Sequence, residues 1–262
     1  MSSLAGQPLG SADPQGALAI IPARLGSTRL SRKMLLRETG RYLFEHTARN
    51  LIDGGAVQRV VVATDSEEIL GAAREVGLEA LMTRDDHASG TDRVHEAWSL
   101  LREGGSRAGV VVNVQGDEPD LDAEDLRALV AAFEEPEVEL ATLWTELEAE
   151  EAADPSAVKV VLDARGDALY FTRAAVPDAR HARAGAPAPA YKRHVGVYAF
   201  RPAALERFCA LPPGELEQLE SLEQLRWLEA GHKLRVLRAR HRPRGIDTAE
   251  DYLAFKNRIA TP

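Results

Sequence analysis

The sequence predicts an α/β fold built on a doubly wound, mostly parallel sheet with helices on both faces. Short β-rich runs alternate with segments of helical spacing through the first half of the chain, and their connections are short. Two runs, Val60–Ala63 and Val110–Val114, carry consecutive apolar residues, as expected for strands that are covered on both faces. With 262 residues and 45% apolar content, the chain can bury the core of one large domain.

Each element of the first half follows from local signals. The β-rich runs predict strands at Leu18–Ile21, Val60–Ala63, Glu79–Met82, Val110–Val114 and Glu139–Trp144. Apolar residues at helical spacing predict helices between them: one ends at Gly54–Gly55, one follows the N-cap Ser66, and one begins at Asp122 or Ala123. Helical connections of this kind join parallel strands.

The second half has a different pattern. Its β-rich runs predict a hairpin of the strands Val158–Leu162 and Ala168–Thr172, which turns at Asp163–Asp167. Two further strands are predicted at His194–Phe200 and Leu234–Arg240. Helices are predicted at Pro202–Ala210, at Leu216–Ala230 and after Asp247. We expect residues 1–16 to be a disordered leader, residues 17–262 to be a single domain, and residues 178–191, rich in Ala, Pro, Gly and Arg, to be a mobile loop.

Composition excludes several classes of protein. The 32 basic and 41 acidic residues give a net charge of −9, and 5% of residues are aromatic, so a nucleic-acid-binding module is disfavoured. The single cysteine, Cys209, excludes a disulfide framework and a multi-cysteine zinc site. Because no apolar run approaches the roughly 20 residues of a transmembrane helix, we expect no membrane insertion and a cytoplasmic location.

The loop after the first predicted strand concentrates positive charge. The segment Ile21–Lys33 contains four cations, at Arg24, Arg29, Arg32 and Lys33. Doubly wound sheets bind nucleotides at the carboxyl ends of their strands, and the small residues of Gly26–Thr28 let backbone N–H groups approach an anion. Such cations are also ordinary on a surface, and the spacing fits neither a P-loop nor a dinucleotide fingerprint. The combination predicts a phosphate-binding site.

This loop begins a series of motifs that resembles a known family. PARLGSTRL at 22–30 and Lys33 are followed by VATD at 62–65, TRDDHASGTDR at 83–93, NVQGDEP at 113–119, AVKVVLD at 157–163, ALYFTRAAVP at 168–177, KRHVGVYAFR at 192–201, LESLEQLRWLEAG at 219–231 and GIDTAED at 245–251. In this order they resemble the sugar-acid cytidylyltransferases, most closely those that act on 3-deoxy-manno-octulosonate (Kdo). One departure is Ser31-Arg32-Lys33-Met34, where the family usually has Pro-Gly-Lys-Pro.

The resemblance implies a fold and a reaction. The fold would be a Rossmann-like mixed sheet with a smaller β-rich lobe, at about residues 155–200, for the acceptor and for dimerisation. The reaction would be Mg²⁺-dependent transfer of CMP from CTP to the anomeric hydroxyl of Kdo, which gives CMP-Kdo and pyrophosphate for lipopolysaccharide synthesis. The active form would be a homodimer.

The resemblance also assigns site residues. The catalytic residues would be Lys33, Arg24, Arg29 and Asp117, and the metal ligands would be Asp117 and Asp247. The nucleotide would be bound by Ala23, Arg24, Ser27, Arg29, Lys33, Ser89, Gly90 and Arg93. The acceptor would be bound by Gln115, Arg173, His194, Tyr198, Glu223 and Gln224.

Several of these residues also suit other roles. Asp117 suits a turn, and either Asp247 or Thr248 suits a helix N-cap. Glu223 and Gln224 fall within the predicted leucine-rich helix, where they also suit an exposed polar face. Two alternative functions stay open at this point: a cytidylyltransferase for another sugar acid or a phosphonate, and a catalytically silent CTP-binding regulator.

Strand spacing supports one part of the acceptor assignment. His194 and Tyr198 lie four residues apart on a predicted strand and therefore share a face. His194 suits either a general base or, as we favour, a hydrogen-bond partner. Arg173 follows an apolar strand and is expected to face solvent or an anion.

Overall fold

The computed structural model describes residues 16–26, 30–178 and 191–260. Within these ranges the strands are β1 (Ala17–Ala23), β2 (Arg59–Thr64), β3 (Glu79–Met82), β4 (Val110–Asn113), β5 (Leu140–Leu147), β6 (Lys159–Leu162), β7 (Ala168–Thr172), β8 (Tyr191–Phe200) and β9 (Arg235–Arg238). The α-helices are α1 (Leu43–Gly54), α2 (Glu67–Glu75), α3 (Gly90–Glu103), α4 (Ala123–Ala131), α5 (Pro202–Ala210), α6 (Glu215–Glu220), α7 (Leu225–Glu229) and α8 (Ala249–Ala260).

The strands form a mixed sheet in the order β3-β2-β1-β4-β8-β5-β9. β1 pairs in parallel with both β2 and β4, and β8 runs antiparallel to β4 and β5. The carboxyl ends of β1 to β4 therefore meet at one edge of the sheet. Because the chain leaves β1 toward β2 on one side and returns to β4 on the other, a crevice is expected between β1 and β4. The predicted mostly parallel α/β sheet is confirmed.

Alternating side chains of β1 contribute to two hydrophobic cores, one on each face of the sheet. Ala19 and Ile21 lie in the core that includes residues of α1, α2 and α4. Leu18 and Ile20 lie in the core that includes residues of α3, α5 and α7. All seven residues of β1 are buried, as expected for a strand that is covered on both faces.

A hairpin of β6 and β7 branches from the principal sheet and pairs with β8. Its turn is closed by the amide of Asp163, which donates to the carbonyl oxygen of Asp167 at 2.9 Å. At its base, the buried ammonium of Lys159 donates to the carbonyl oxygens of Asp154 and Arg173, at 2.9 and 2.6 Å. The β-rich segment is therefore continuous with the principal sheet through β8.

The single helix predicted at Leu216–Ala230 is wrong. Two short helices, α6 and α7, occupy this stretch, and they are separated at Ser221, whose φ of 53° lies in the left-handed region. The break lets Leu222 turn into the core on the α7 side of the sheet, where it is 7% exposed. Glu223 and Gln224 therefore lie in the turn before α7 and not on the face of a continuous helix.

The other predicted helices and strands are confirmed. Gly55 ends α1 with a φ of 65°, Ser66 caps α2, and Asp122 caps α4. Residues 1–15 of the predicted leader and residues 179–190 of the predicted mobile loop lie outside the described residues. Among the helices of residues 16–26, 30–178 and 191–260, none has the length and apolar character to cross a bilayer.

Candidate active site

Lys33 lies at the centre of a charged site at the carboxyl edge of the sheet. Its ammonium donates to Oδ2 of Asp117 at 2.5 Å and to Oδ1 of Asp247 at 3.2 Å, although these residues are 84 and 214 positions away in the chain. The Lys33 side chain is only 8% exposed, so its charge depends on these carboxylates for compensation. The structure therefore brings together the three residues that the sequence assigned to phosphate and metal.

A turn after β4 carries Asp117 to the lysine. The amide of Glu118 donates to the carbonyl oxygen of Gln115 at 3.1 Å and closes this turn. The amide of Ile246 donates to the carbonyl oxygen of Asp117 at 2.9 Å. This bond joins the turn to the segment before α8, which is the segment that supplies Asp247.

Thr248 is the N-cap of α8. Its hydroxyl accepts a hydrogen bond from the amide of Asp251 at 3.1 Å, and the Asp251 carboxylate accepts from the amide of Thr248 at 2.9 Å. This reciprocal pair is a capping box. Of the two N-caps that the sequence left open, the helix uses Thr248, and the Asp247 carboxylate extends to Lys33.

The donor set fits a magnesium ion whose coordination is completed by substrate oxygens. Mg²⁺ binds through one or two carboxylates together with phosphate oxygens and water, and Asp117 and Asp247 converge on one ammonium. Glu118 adds a buried carboxyl oxygen, Oε2, that has no hydrogen-bond partner in the described part of the chain. Burial, and to a smaller extent the negative charges of Asp117 and Asp247, raises the pKa of Glu118 to about 8. The described residues contain no cluster of three or more His, Cys, Asp or Glu side chains that could hold a metal alone.

A cavity of about 150 Å³ lies where β1, β4 and the start of α3 meet. It is lined by Pro22, Arg24, His87, Ala88, Ser89, Gly90, Arg93 and Gln115. The hydroxyl of Ser89 accepts from the amide of Asp92 at 3.1 Å and so caps α3. A Cβ at Gly90 would lie 3.3 Å from Nε2 of Gln115, so a larger residue there would crowd the cavity.

Arg93 lines the small cavity, but much of its guanidinium is hydrogen-bonded to other groups of the protein. It is 4% exposed and donates to Oδ2 of Asp65 and Oγ1 of Thr83, each at 2.6 Å. A third bond, at 3.1 Å, goes to the carbonyl oxygen of Arg84. These bonds tie α3 to the ends of β2 and β3, and the nucleotide contact of Arg93 stays a prediction.

The predicted phosphate loop lies only partly within the described residues. Ser27 and Arg29 fall outside them. Ala23 is the buried last residue of β1, and Arg24 is exposed at the small cavity. The sequence grouped Arg32 with the other loop cations, but its guanidinium instead forms an ion pair with an acidic residue of α2.

A chain of hydrogen bonds connects the small cavity to the turn before α7. Nε2 of Gln115 donates to Oδ1 of Asn113 at 3.1 Å, and Nδ2 of Asn113 donates to Oγ1 of Thr91 at 3.1 Å. The Thr91 hydroxyl then donates to the Glu223 carboxylate. Oε2 of Glu223 and Nε2 of Gln224 are buried without partners in the described ranges, and burial raises the pKa of Glu223. Such atoms are the groups that a polar ligand would satisfy.

His194 and Tyr198 share a face of β8, as predicted, and their ring centroids are 5.4 Å apart. The Thr142 hydroxyl donates to the carbonyl oxygen of Val197 at 2.7 Å and lies 2.9 Å from Nε2 of His194. Burial lowers the pKa of His194 to about 3 and raises that of Tyr198. Because a base this weak is a poor proton acceptor near neutral pH, its environment favours hydrogen bonding over general-base catalysis.

We expect His194 to make stability depend on pH. Below its ordinary pKa of 6.5, the histidine takes up a proton in the unfolded chain but not in the folded one, so stability falls as the pH falls. From pH 6.5 to 5 this group alone removes between about 1 and 2 kcal/mol of stability. Urea unfolding at both pH values should therefore show a smaller loss for His194→Gln than for the unaltered chain. An equal loss in both proteins would contradict the assignment.

Arg173 braces the turn after α6. Its guanidinium donates to the carbonyl oxygens of Glu220, Pro155 and Ser221, at 2.9, 3.0 and 3.4 Å. It also lines a cavity of about 610 Å³, whose walls include His194 and Asp247. Since backbone carbonyls occupy this guanidinium, its contact with an acceptor carboxylate stays a prediction.

Two polar residues of the site were not predicted from the sequence. Arg193 lines the larger cavity, and burial, followed by the nearby charge of Arg242, lowers its pKa. Asn113 links Gln115 to Thr91. A polar residue at the end of the apolar run Val110–Asn113 was an available signal for Asn113.

Known proteins resemble this chain over most of its length. Residues 18–234 match the cytidylyltransferase family. The 3-deoxy-manno-octulosonate cytidylyltransferases of Nitratidesulfovibrio vulgaris (strain DP4) and Acidobacterium capsulatum are 46% and 45% identical, over 91% of this chain and 94% of each relative. A CMP:2-keto-3-deoxy-manno-octonic acid synthetase solved with CTP is 38% identical, with a TM-score of 0.86 over 93% of this chain and 98% of that one. The chain therefore belongs to the cytidylyltransferase family.

Proposed function

We propose that this chain transfers CMP from CTP to the anomeric hydroxyl of Kdo and releases pyrophosphate. The observation that carries the proposal is the convergence of Lys33, Asp117 and Asp247 at the carboxyl edge of the sheet. The acceptor is supported by the relatives named for Kdo, which align with 91% of this chain.

The nucleotide would lie across the crevice between β1 and β4, where doubly wound sheets bind such ligands. Cytosine and ribose would occupy the cavity of about 150 Å³ beside Ser89 and Gly90, and the phosphates would extend past Arg24 to Lys33. The complete proposed set is Ala23, Arg24, Ser27, Arg29, Lys33, Ser89, Gly90 and Arg93.

Asp117 and Asp247 would hold Mg²⁺. When bound, the ion neutralises phosphate charge and lowers the pKa of a coordinated hydroxyl. Lys33 would donate hydrogen bonds to phosphate oxygens, where its charge opposes the negative charge that develops as the anomeric oxygen attacks the α-phosphorus. Arg24 and Arg29 would act on the departing pyrophosphate in the same way.

The acceptor would contact residues near both ends of the series of hydrogen bonds that runs from Gln115 to Glu223. Oε2 of Glu223 would accept from a sugar hydroxyl, and Nε2 of Gln224 would donate to another oxygen, which satisfies two buried atoms. The full proposed set is Gln115, Arg173, His194, Tyr198, Glu223 and Gln224. The protein would act by positioning and by charge neutralisation, with no covalent intermediate.

Pyrophosphate release from CTP, Mg²⁺ and Kdo tests the proposal. We expect release only when both substrates are present, together with a product that contains CMP and Kdo. Turnover with another sugar acid or a phosphonate but not with Kdo would overturn the acceptor assignment. CTP binding without turnover on any acceptor would instead support the silent regulator.

We also propose that the chain is a homodimer, as its family resemblance implies. Leu169 on the edge strand β7 and Leu219 on α6 are the most exposed large apolar side chains in the described residues, at 61% and 74%. A partner surface would remove this apolar area from water. Sedimentation velocity would distinguish a dimer from a single chain.

A further inference from the structure

Arg32 has an unfavourable backbone conformation directly before Lys33. Its φ of 54° and ψ of 30° lie in the left-handed region, which is costly for residues with a Cβ atom. Its carbonyl oxygen accepts from the amide of Leu35 at 2.9 Å and closes the 3₁₀ turn Lys33–Leu35. The backbone at Arg32 therefore sets the direction in which Lys33 leaves the loop.

The side chain of Arg32 is tied to the first turn of α2. Its guanidinium forms an ion pair with Glu68, and the two side chains are 53% and 51% exposed. The turn that carries Glu68 is itself fixed, since the Ser66 hydroxyl caps it and Ile69 is fully buried. The ion pair thus joins the strained residue of the loop to a firmly packed helix.

We propose that Glu68 is a positioning residue for the phosphate-binding lysine. Its ion pair with Arg32 offsets the cost of the left-handed conformation and so keeps Lys33 directed at the two aspartates. The inference rests on the proposed cytidylyl transfer, in which this lysine binds nucleotide phosphates. Glu68 itself touches no reacting atom and acts only through the loop.

The chain offers a matched control. Glu67→Gln removes the same charge from the same helical turn, and Glu67 lines the same cavity of about 490 Å³ as Glu68 and Arg32. The ion pair of Arg32, however, is with Glu68. Arg32→Gly supplies a residue that adopts positive φ without steric cost, so it removes the need for the pair.

We expect Glu68→Gln to raise the KM for CTP about three- to fivefold at low salt, with kcat within about twofold of normal. This change in KM corresponds to the upper range of the free energies that exposed ion pairs contribute. The difference should shrink in about 1 M salt, where screening weakens the pair in the unaltered chain. Glu67→Gln should leave KM unchanged. In the Arg32→Gly background, Glu68→Gln should have no further effect, and this non-additivity is the signature of the proposed coupling.

Amide hydrogen exchange gives a test that needs no activity. The amides of Leu35 and Leu36 donate to the carbonyl oxygens of Arg32 and Lys33 at 2.9 and 3.2 Å. They should exchange faster in Glu68→Gln and not in Glu67→Gln. Unchanged exchange and KM in Glu68→Gln, equal changes in both variants, or full additivity with Arg32→Gly would each overturn the inference. A chain that never transfers CMP would overturn the proposed function while the exchange rates still decide the role of Glu68.

Discussion

Asp117→Asn is expected to lower kcat for cytidylyl transfer by about 10²–10³-fold. The substitution keeps the shape of the side chain but removes one of the two negative charges that surround Lys33. The fold should survive, because Lys33 retains Asp247 at 3.2 Å, and the loss of unfolding free energy should be about 1–3 kcal/mol. Steady-state pyrophosphate release and urea unfolding measure the two effects.

Asp120→Asn is the matched control for this prediction. Asp120 lies three residues further along the same segment and forms an ion pair with Arg258 on α8. Because exposed ion pairs contribute at most about 1 kcal/mol, its removal should leave turnover near normal. A rate above one third of normal in Asp117→Asn, or an equal loss in Asp120→Asn, would reject the role given to Asp117.

Lys33→Ala should reduce kcat/KM for CTP by about 10²–10³-fold, since it removes a positive charge from the proposed phosphate site. It should also destabilise the fold by about 1–3 kcal/mol, because Asp117 and Asp247 then face each other without compensation. Mg²⁺ binds both carboxylates in our proposal, so added Mg²⁺ should raise the melting temperature more in this variant than in the unaltered chain.

Lys256→Ala is the matched control for Lys33→Ala, because it also removes an ammonium group from the protein. Lys256 pairs with Glu38, and this pair joins α8 to the segment before α1. We expect near-normal kinetics for this variant and no additional response to Mg²⁺. Nearly full activity in Lys33→Ala would show that another cation binds the phosphates.

The parallel part of the sheet could be predicted because its signals are local. The consecutive apolar residues of Val60–Ala63 show a strand buried on both faces, and the N-caps Ser66 and Asp122 begin helices where the sequence predicts them. The break between α6 and α7 has no such signal, since Ser221 is neither glycine nor proline. Tertiary packing of Leu222 decides the conformation there.

The site was predictable to a similar extent. Lys33 and Asp117 each follow a parallel strand, and the carboxyl ends of such strands meet at one edge of a sheet. Asp247 could be assigned only through the family resemblance, because its position depends on how α8 packs. The number of cations in the loop could not show that Arg32 turns toward α2, because it does not specify where each side chain points.

The separation of Asp247 from the other site residues along the chain couples the charged site to the docking of α8. All residues that line the small cavity precede residue 116, whereas Asp247 lies in the segment that is joined to the turn after β4 through the amide of Ile246. A local opening of α8 would therefore draw one carboxylate away from Lys33 while it leaves the lining of the small cavity in place.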